Sequence, residues 1–180
     1  MKVKIPRILE ELRPKTLIYC HYVDTIIDMI KAGAIEAGYS VAVFTGQEKD
    51  LLEKFTKGEV DVLIASRCIS TGVDGLQKVC SRVIVASLPW TGAEFEQLVG
   101  RVYRQGQPKE QVEIIIPLTF LELQGEKRSW CQGRYDCIKY KKTIADAAVD
   151  GIIPEEHIRS KEQAFEDLMA WVRKLEGQRS

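Results

Sequence analysis

The stretch SVAVFTGQEKDLLEKFTKGEVDVLIAS, Ser40 to Ser66, carries three signals in a row. SVAVF reads as a strand, TGQ as a turn, KDLLEKFTKG as a short helix closed by Gly58, and VDVLIAS as a second, buried strand. A strand, a helix and a strand in so short a span predict parallel pairing, because parallel neighbours need a crossover connection. The pattern extends in both directions. Upstream, after a helix expected at Pro6 to Leu12, TLIYCHY (Thr16 to Tyr22) reads as a buried strand. Ile26, Ile27, Ile30, Ala34 and Ala37 then share one face of a helix that stops at Gly38. Downstream, RVIVASL and QVEIIIPL read as strands, and Pro117 marks the end of the last one. This alternation predicts an α/β fold, a parallel sheet sandwiched by helices, with ligands expected at the carboxyl ends of the strands.

Composition narrows the function classes. Among 180 residues, 26 Lys and Arg balance 26 Asp and Glu, so bulk charge does not mark the chain as a nucleic-acid binder and any such contact must be local. No stretch reads as a membrane span, and the start MKVKIPRILEELRP lacks the features of a signal peptide, so an intracellular protein is expected. The five cysteines form no C-x-x-C pair and read as reduced thiols. Cys131 and Cys137 with His157 match no established zinc spacing, and no metal site is assigned.

Character changes near residue 120. LELQGEKRSWCQGRYDC is polar and is assigned no element, IKYKKTIADAAVDG reads as a helix up to Gly151, and KEQAFEDLMAWVRKLEG as an amphipathic helix. Its stripe of Phe165, Leu168, Met169, Val172 and Leu175 reads as a packing face. The expected organisation is a lobe over residues 1–120 and a mainly helical C-terminal extension over residues 121–180, packed on it.

Two segments carry chemistry. In EQLVGRVYRQGQ (Glu96 to Gln107), helical spacing puts Gln97, Gly100, Arg101 and Arg104 on one side and Phe95, Leu98, Val99, Val102 and Tyr103 on a core side. Neither arginine has an acid three or four positions away, so the balancing negative charge must come from outside the helix. The other segment is ASRCISTGVDGLQ, which follows a strand and offers small residues and Asp74 for close approach of a phosphate or sugar. Any polar turn shares that composition.

Together these segments resemble motifs of superfamily 2 helicases. VLIASRCISTGVD is similar to the fifth motif, where a strand ends in Ala-Thr-Asp and a Gly-hydrophobic-Asp follows; Ala65, Ser66 and Arg67, then Gly72, Val73 and Asp74, take those places. QLVGRVYRQGQ resembles the sixth motif through Gln97, Gly100, Arg101 and Arg104, and its R-x-G-Q ending is similar to that of the Snf-type DNA-translocating ATPases. LIYCHY resembles the fourth motif, and the likeness runs from about Thr16 to Leu118. It implies a C-terminal RecA-like lobe. It also implies that Arg101 and Arg104 reach across to the triphosphate of ATP, one or both acting as arginine fingers, with Gln97 and Gly100 beside them and Gly72 and Asp74 lining the cleft near the ribose. Ser66, Ser70 and Thr71 would meet the nucleic-acid backbone, DNA being favoured.

No G-x-x-x-x-G-K-[ST] and no strand ending in Asp-Glu is present in the sequence. The resemblance therefore implies that ATP and Mg2+ are held mainly by an N-terminal RecA-like lobe, on the same polypeptide in preference to another chain, and that this piece alone is inactive. Two rivals remain open: a RecA-like binding or adaptor module without catalysis, and an unrelated small-molecule enzyme. The latter would need a catalytic base, and His21 reads instead as a satisfied strand-end residue. Trp90, in SLPWTG, reads as packing or as a residue near an interlobe cleft, and Lys139, Lys141 and Lys142 beside Tyr140 as a solvated face or a phosphate contact.

Overall fold

A computed structural model describes residues 2–22, 25–46, 49–71, 73–123 and 125–151, together with 163, 166, 169, 170 and 173. Its elements run α1 (Ile5–Glu10), β1 (Thr16–Tyr19), α2 (Ile26–Glu36), β2 (Val41–Phe44), α3 (Lys49–Thr56), β3 (Val62–Ala65), α4 (Leu76–Val79), β4 (Arg82–Val85), α5 (Gly92–Val102) and β5 (Glu113–Ile115). A hairpin of β6 (Leu121–Leu123) and β7 (Glu126–Arg128) and a long helix α6 (Trp130–Asp150) follow.

The first five strands form one parallel sheet in the order β2-β3-β1-β4-β5. Leu17 pairs with Leu63 on one side and Val83 on the other, which puts β1 at the centre. All four residues of β1 and of β3 are buried. That is the signature of strands covered on both faces, and it explains why their sequences are continuous apolar runs rather than alternations. Ile18, Ile64 and Ile84 point to one face, where Ile8 and Leu12 and then Ile27, Ile30 and Ala34 of α2 complete a core cluster. Leu17 and Tyr19 point to the other, toward α5, whose Leu98 and Val102 are fully buried.

The stops named by the sequence are formed. Gly38 and Gly58 have φ of 88° and 77°, a region costly for any side chain. Their amides turn back to Ile35 O and Phe55 O at 2.9 Å each, closing the last turns of α2 and α3. Across the sheet's N-terminal edge Arg82, itself 16% exposed, donates to Glu11 Oε2 at 2.6 Å and also bonds the Glu113 carboxylate, tying the end of α1 to β4 and β5.

The chain divides into two compact units, residues 1–89 with 93–119, and residues 90–92 with 120–180. In the second unit the stretch with no expected element contains a hairpin and the start of a helix. Leu121–Leu123 and Glu126–Arg128 pair as the antiparallel β6-β7 hairpin, and α6 begins at Trp130, ahead of the expected IKYKKT. Ser129 explains the early start: its hydroxyl accepts the amide of Gln132 at 3.0 Å, an N-cap bond that a survey of apolar periodicity does not register. Trp90 is 53% exposed and carries the Arg134 guanidinium over its ring at 3.9 Å. Lys139 lies over the Tyr135 ring at 4.6 Å. His157 and, from the C-terminal stripe, Phe165, Leu168, Val172 and Leu175 lie outside the described residues, while Met169 is helical.

Candidate functional site

The carboxyl ends of β3, β1 and β4 lie side by side, and the segments that leave them carry the residues singled out above. From β3 the chain enters a 3-10 turn at Arg67–Ser70, passes through Thr71 in extended conformation, and reaches Asp74 before α4 begins. Gly72 lies outside the described residues.

Arg101 on α5 reaches into that segment. Its Nε and Nη2 donate to Ser70 O at 3.1 and 3.0 Å, and its Nη1 donates to Val73 O at 3.1 Å. All three guanidinium nitrogens are therefore spent on the backbone of the loop after β3, which places the loop relative to the helix. Arg104 is differently employed. Its Nη1 meets Asp74 Oδ1 at 2.5 Å, with the two side chains 50% and 79% exposed. The counter-charge absent from the helix is thus provided thirty positions earlier in sequence for one arginine, and by carbonyl dipoles for the other.

The helix itself is shorter than expected. It ends at Val102, and Tyr103, whose amide still donates to Val99 O at 2.8 Å, stands 68% exposed instead of joining Leu98 and Val102 in the core. Gln97 and Gly100 lie on the open face of α5. A Cβ at Gly100 would meet nothing within 4 Å, so packing among the described residues does not demand glycine there. Of the three loop residues taken as nucleic-acid contacts, only Thr71 is exposed. Ser66 and Ser70 are buried, Ser66 Oγ against Cys68 Sγ at 3.3 Å and Ser70 Oγ with no hydrogen-bond partner among the described residues.

A second constellation went unread in the sequence. Glu94, in the first turn of α5, receives the Tyr19 hydroxyl at 3.0 Å and Arg67 Nε at 3.1 Å on a single oxygen, Oε1. His21 Nδ1 lies 3.5 Å from that oxygen and 3.3 Å from the Tyr19 hydroxyl, and the His21 amide donates to Ser87 Oγ at 2.6 Å. His21 is a satisfied strand-end residue, as its sequence context implied. Two signals pointed to the group: a tyrosine in a buried strand needs a partner for its hydroxyl, and Arg67 stands where the helicase pattern has an acid.

Residues 3–106 match the family model described as the helicase conserved C-terminal domain. The chain belongs to that family. An uncharacterized ATP-dependent helicase of Bacillus subtilis, YqhH, is 26% identical over 112 residues, covering 60% of this chain and 20% of that protein. The chain thus spans about a fifth of the length of that curated relative. Among solved structures, the C-terminal part of the Fun30 ATPase domain matches with a TM-score of 0.53 at 16% identity, over 82% of this chain and 53% of that one. The C-terminal domain of the DEAD-box protein Dbp5 matches at 0.54 and 15% identity, over 85% and 82%. The RNA helicase Prp28 of Chaetomium thermophilum, bound to ADP, matches at 0.55 and 20% identity, over 87% and 37%. At these identities the likeness establishes the RecA-like fold of a helicase C-terminal domain.

Proposed function

We propose that this helicase C-terminal domain is the second lobe of an intracellular nucleic-acid-dependent ATPase, completing an ATP site built mainly by an N-terminal lobe of the same polypeptide. The observation that carries the reading is the division of labour between the two arginines. Arg101 is consumed by backbone carbonyls. Arg104 is half exposed, held by a single exposed carboxylate, and its Nε and Nη2 make no hydrogen bond among the described residues. A fork so lightly held can leave Asp74 for phosphate oxygens and still remain charged. Arg104 is therefore assigned as the arginine finger, and Arg101 as the residue that shapes the loop presenting Asp74 to the nucleotide.

The donor set fits one share of such a site only. The chain has a cation for the terminal phosphate, and Mg2+ is assigned with the nucleotide to the other lobe. ATP bound there would supply the phosphoanhydride whose cleavage drives closing and reopening of the cleft. The open face of α5 around Gln97 and Gly100 supports apposition to that lobe. Duplex DNA is favoured over RNA as the track, on the R-x-G-Q ending at Arg104 to Gln107, which is similar to the Snf type.

The test is ATP hydrolysis by the native-length polypeptide with and without duplex DNA, comparing the parent with Arg104→Ala. We expect DNA-stimulated turnover that the substitution lowers by roughly a hundredfold or more, with ATP binding largely kept. Parental turnover in the variant would sink the finger assignment and favour the adaptor reading.

A further inference from the structure

We propose that Arg67 is a phosphodiester contact for the nucleic-acid strand and that Glu94, buttressed by Tyr19 and His21, is the residue that aims it. The inference rests on the reading that nucleic acid passes over the carboxyl end of the sheet, and it names a cation for that surface.

The geometry is that of a preset fork. The Arg67 side chain is 68% exposed, yet it is anchored at one nitrogen, Nε, by a carboxylate that is only 15% exposed. Its two terminal amino groups make no hydrogen bond among the described residues, and these are the pair that would grip two oxygens of a phosphate. The anchor is itself fixed. Tyr19 is fully buried, and its hydroxyl proton goes to Glu94 Oε1. His21 Nδ1 lies 3.3 Å from the phenol oxygen and 3.5 Å from the carboxylate, so in the tautomer that carries its proton there it adds a third donor to the group. Ser87, at the end of β4, holds the His21 backbone. Three neighbouring strand ends and the first turn of α5 therefore converge on the orientation of one exposed guanidinium.

An ion pair formed for stability alone would gain little here, because an exposed arginine contributes little to a fold. An arginine held in one rotamer loses less entropy when it meets a ligand, which is the use of such an arrangement. Its neighbours on the loop agree: Thr71 is exposed beside it, whereas Ser66 and Ser70 are buried. The helix that carries Glu94 also carries Arg101, so strand contact at Arg67 would be felt by the helix that serves the nucleotide.

The measurement is binding of a fluorescent single-stranded oligothymidylate to the 180-residue chain across a salt series, with thermal melts of every variant. Arg67→Gln, an exposed change without folding risk, should weaken binding about fivefold to tenfold and reduce the salt slope by about 0.7, one phosphate's worth. Lys109→Gln removes the same charge beyond the helix and should change neither. Glu94→Ala separates aiming from charge. Removing an acid near a polyanion should tighten binding if charge alone matters, whereas loss of the anchor should weaken it roughly threefold to tenfold. Glu94→Gln, which keeps an acceptor for Arg67, should bind no more weakly than the parent. Tighter binding by Glu94→Ala would overturn the aiming role. If Arg67→Gln binds like the parent while Thr71→Asp abolishes binding, the loop meets nucleic acid and the Arg67 assignment is wrong. A parent chain that binds no oligothymidylate overturns the Arg67 assignment, while DNA-stimulated ATP hydrolysis by the native-length polypeptide decides the reading beneath it separately.

Discussion

Replacing Arg101 and Arg104 by alanine, one at a time, should have opposite consequences for stability and for the chemistry of the assembled site. Arg101 makes three charge-assisted bonds to two main-chain oxygens, those of Ser70 and Val73, both buried residues. Its loss leaves two buried acceptors unpaired, at roughly 1–3 kcal/mol each; partial hydration of the vacated space lowers the sum, so the expected cost is about 2–4 kcal/mol. Arg104 and Asp74 form a pair 50% and 79% exposed, for which the expectation is at most about 0.5 kcal/mol. Urea unfolding of the 180-residue chain, followed by circular dichroism, compares the midpoints at constant slope. Hydrogen exchange would add location, with amides between Ser70 and Leu76 losing protection in Arg101→Ala only. A cost below about 1 kcal/mol for Arg101→Ala, or equal costs for both variants, would refute the assignment of one arginine to the loop and the other to the ligand.

Two further outcomes follow from the opposite edge and flank of the sheet. Arg82→Ala should cost about 2–3 kcal/mol in the same unfolding assay, below the range for a fully buried pair because Glu113 remains 58% exposed, and a cost under about 1 kcal/mol would mean that α1 is held by its apolar contacts alone. The Ser40 hydroxyl and amide, with Lys15 farther off, hold the Asp61 carboxyl below its ordinary value of 3.8. That contribution is complete above the unfolded value and is lost as pH falls through the folded one. The stability gap between the parent and Asp61→Asn should therefore be flat near neutrality and close below pH 3.8, and a gap that persists in acid would exclude the mechanism.

How much was legible depended on whether the deciding contacts were local. Gly38 and Gly58 announced their helix ends because the signal and the structure occupy the same few residues. The buried runs TLIY and VLIA announced a parallel sheet because burial on both faces removes alternation. Helical spacing placed Leu98 and Val102 correctly and Tyr103 wrongly, since periodicity does not say where a helix stops. The early start of α6 rests on one serine hydroxyl, which turn composition disguises.

The site divides along the same line. That the cationic face lacked a local acid was readable, but the roles of its two arginines were not, because Ser70, Val73 and Asp74 reach them only through the packing of α5 near the loop after β3. Glu94 was the least visible of all. A carboxylate in the first turn of a helix has an ordinary explanation in the helix dipole, and its contacts come from β1 and the turn after β3, 75 and 27 positions away. Both ends of α5 are thus tied to the loop after β3, through Glu94 to Arg67 at its start and through Arg101 and Arg104 to Ser70, Val73 and Asp74 at its finish. A loop held at two points along one helix cannot shift at one without loading the other. A strand gripped at Arg67 and a nucleotide met by Arg104 would therefore be mechanically linked, which is the property a motor lobe needs and an adaptor does not.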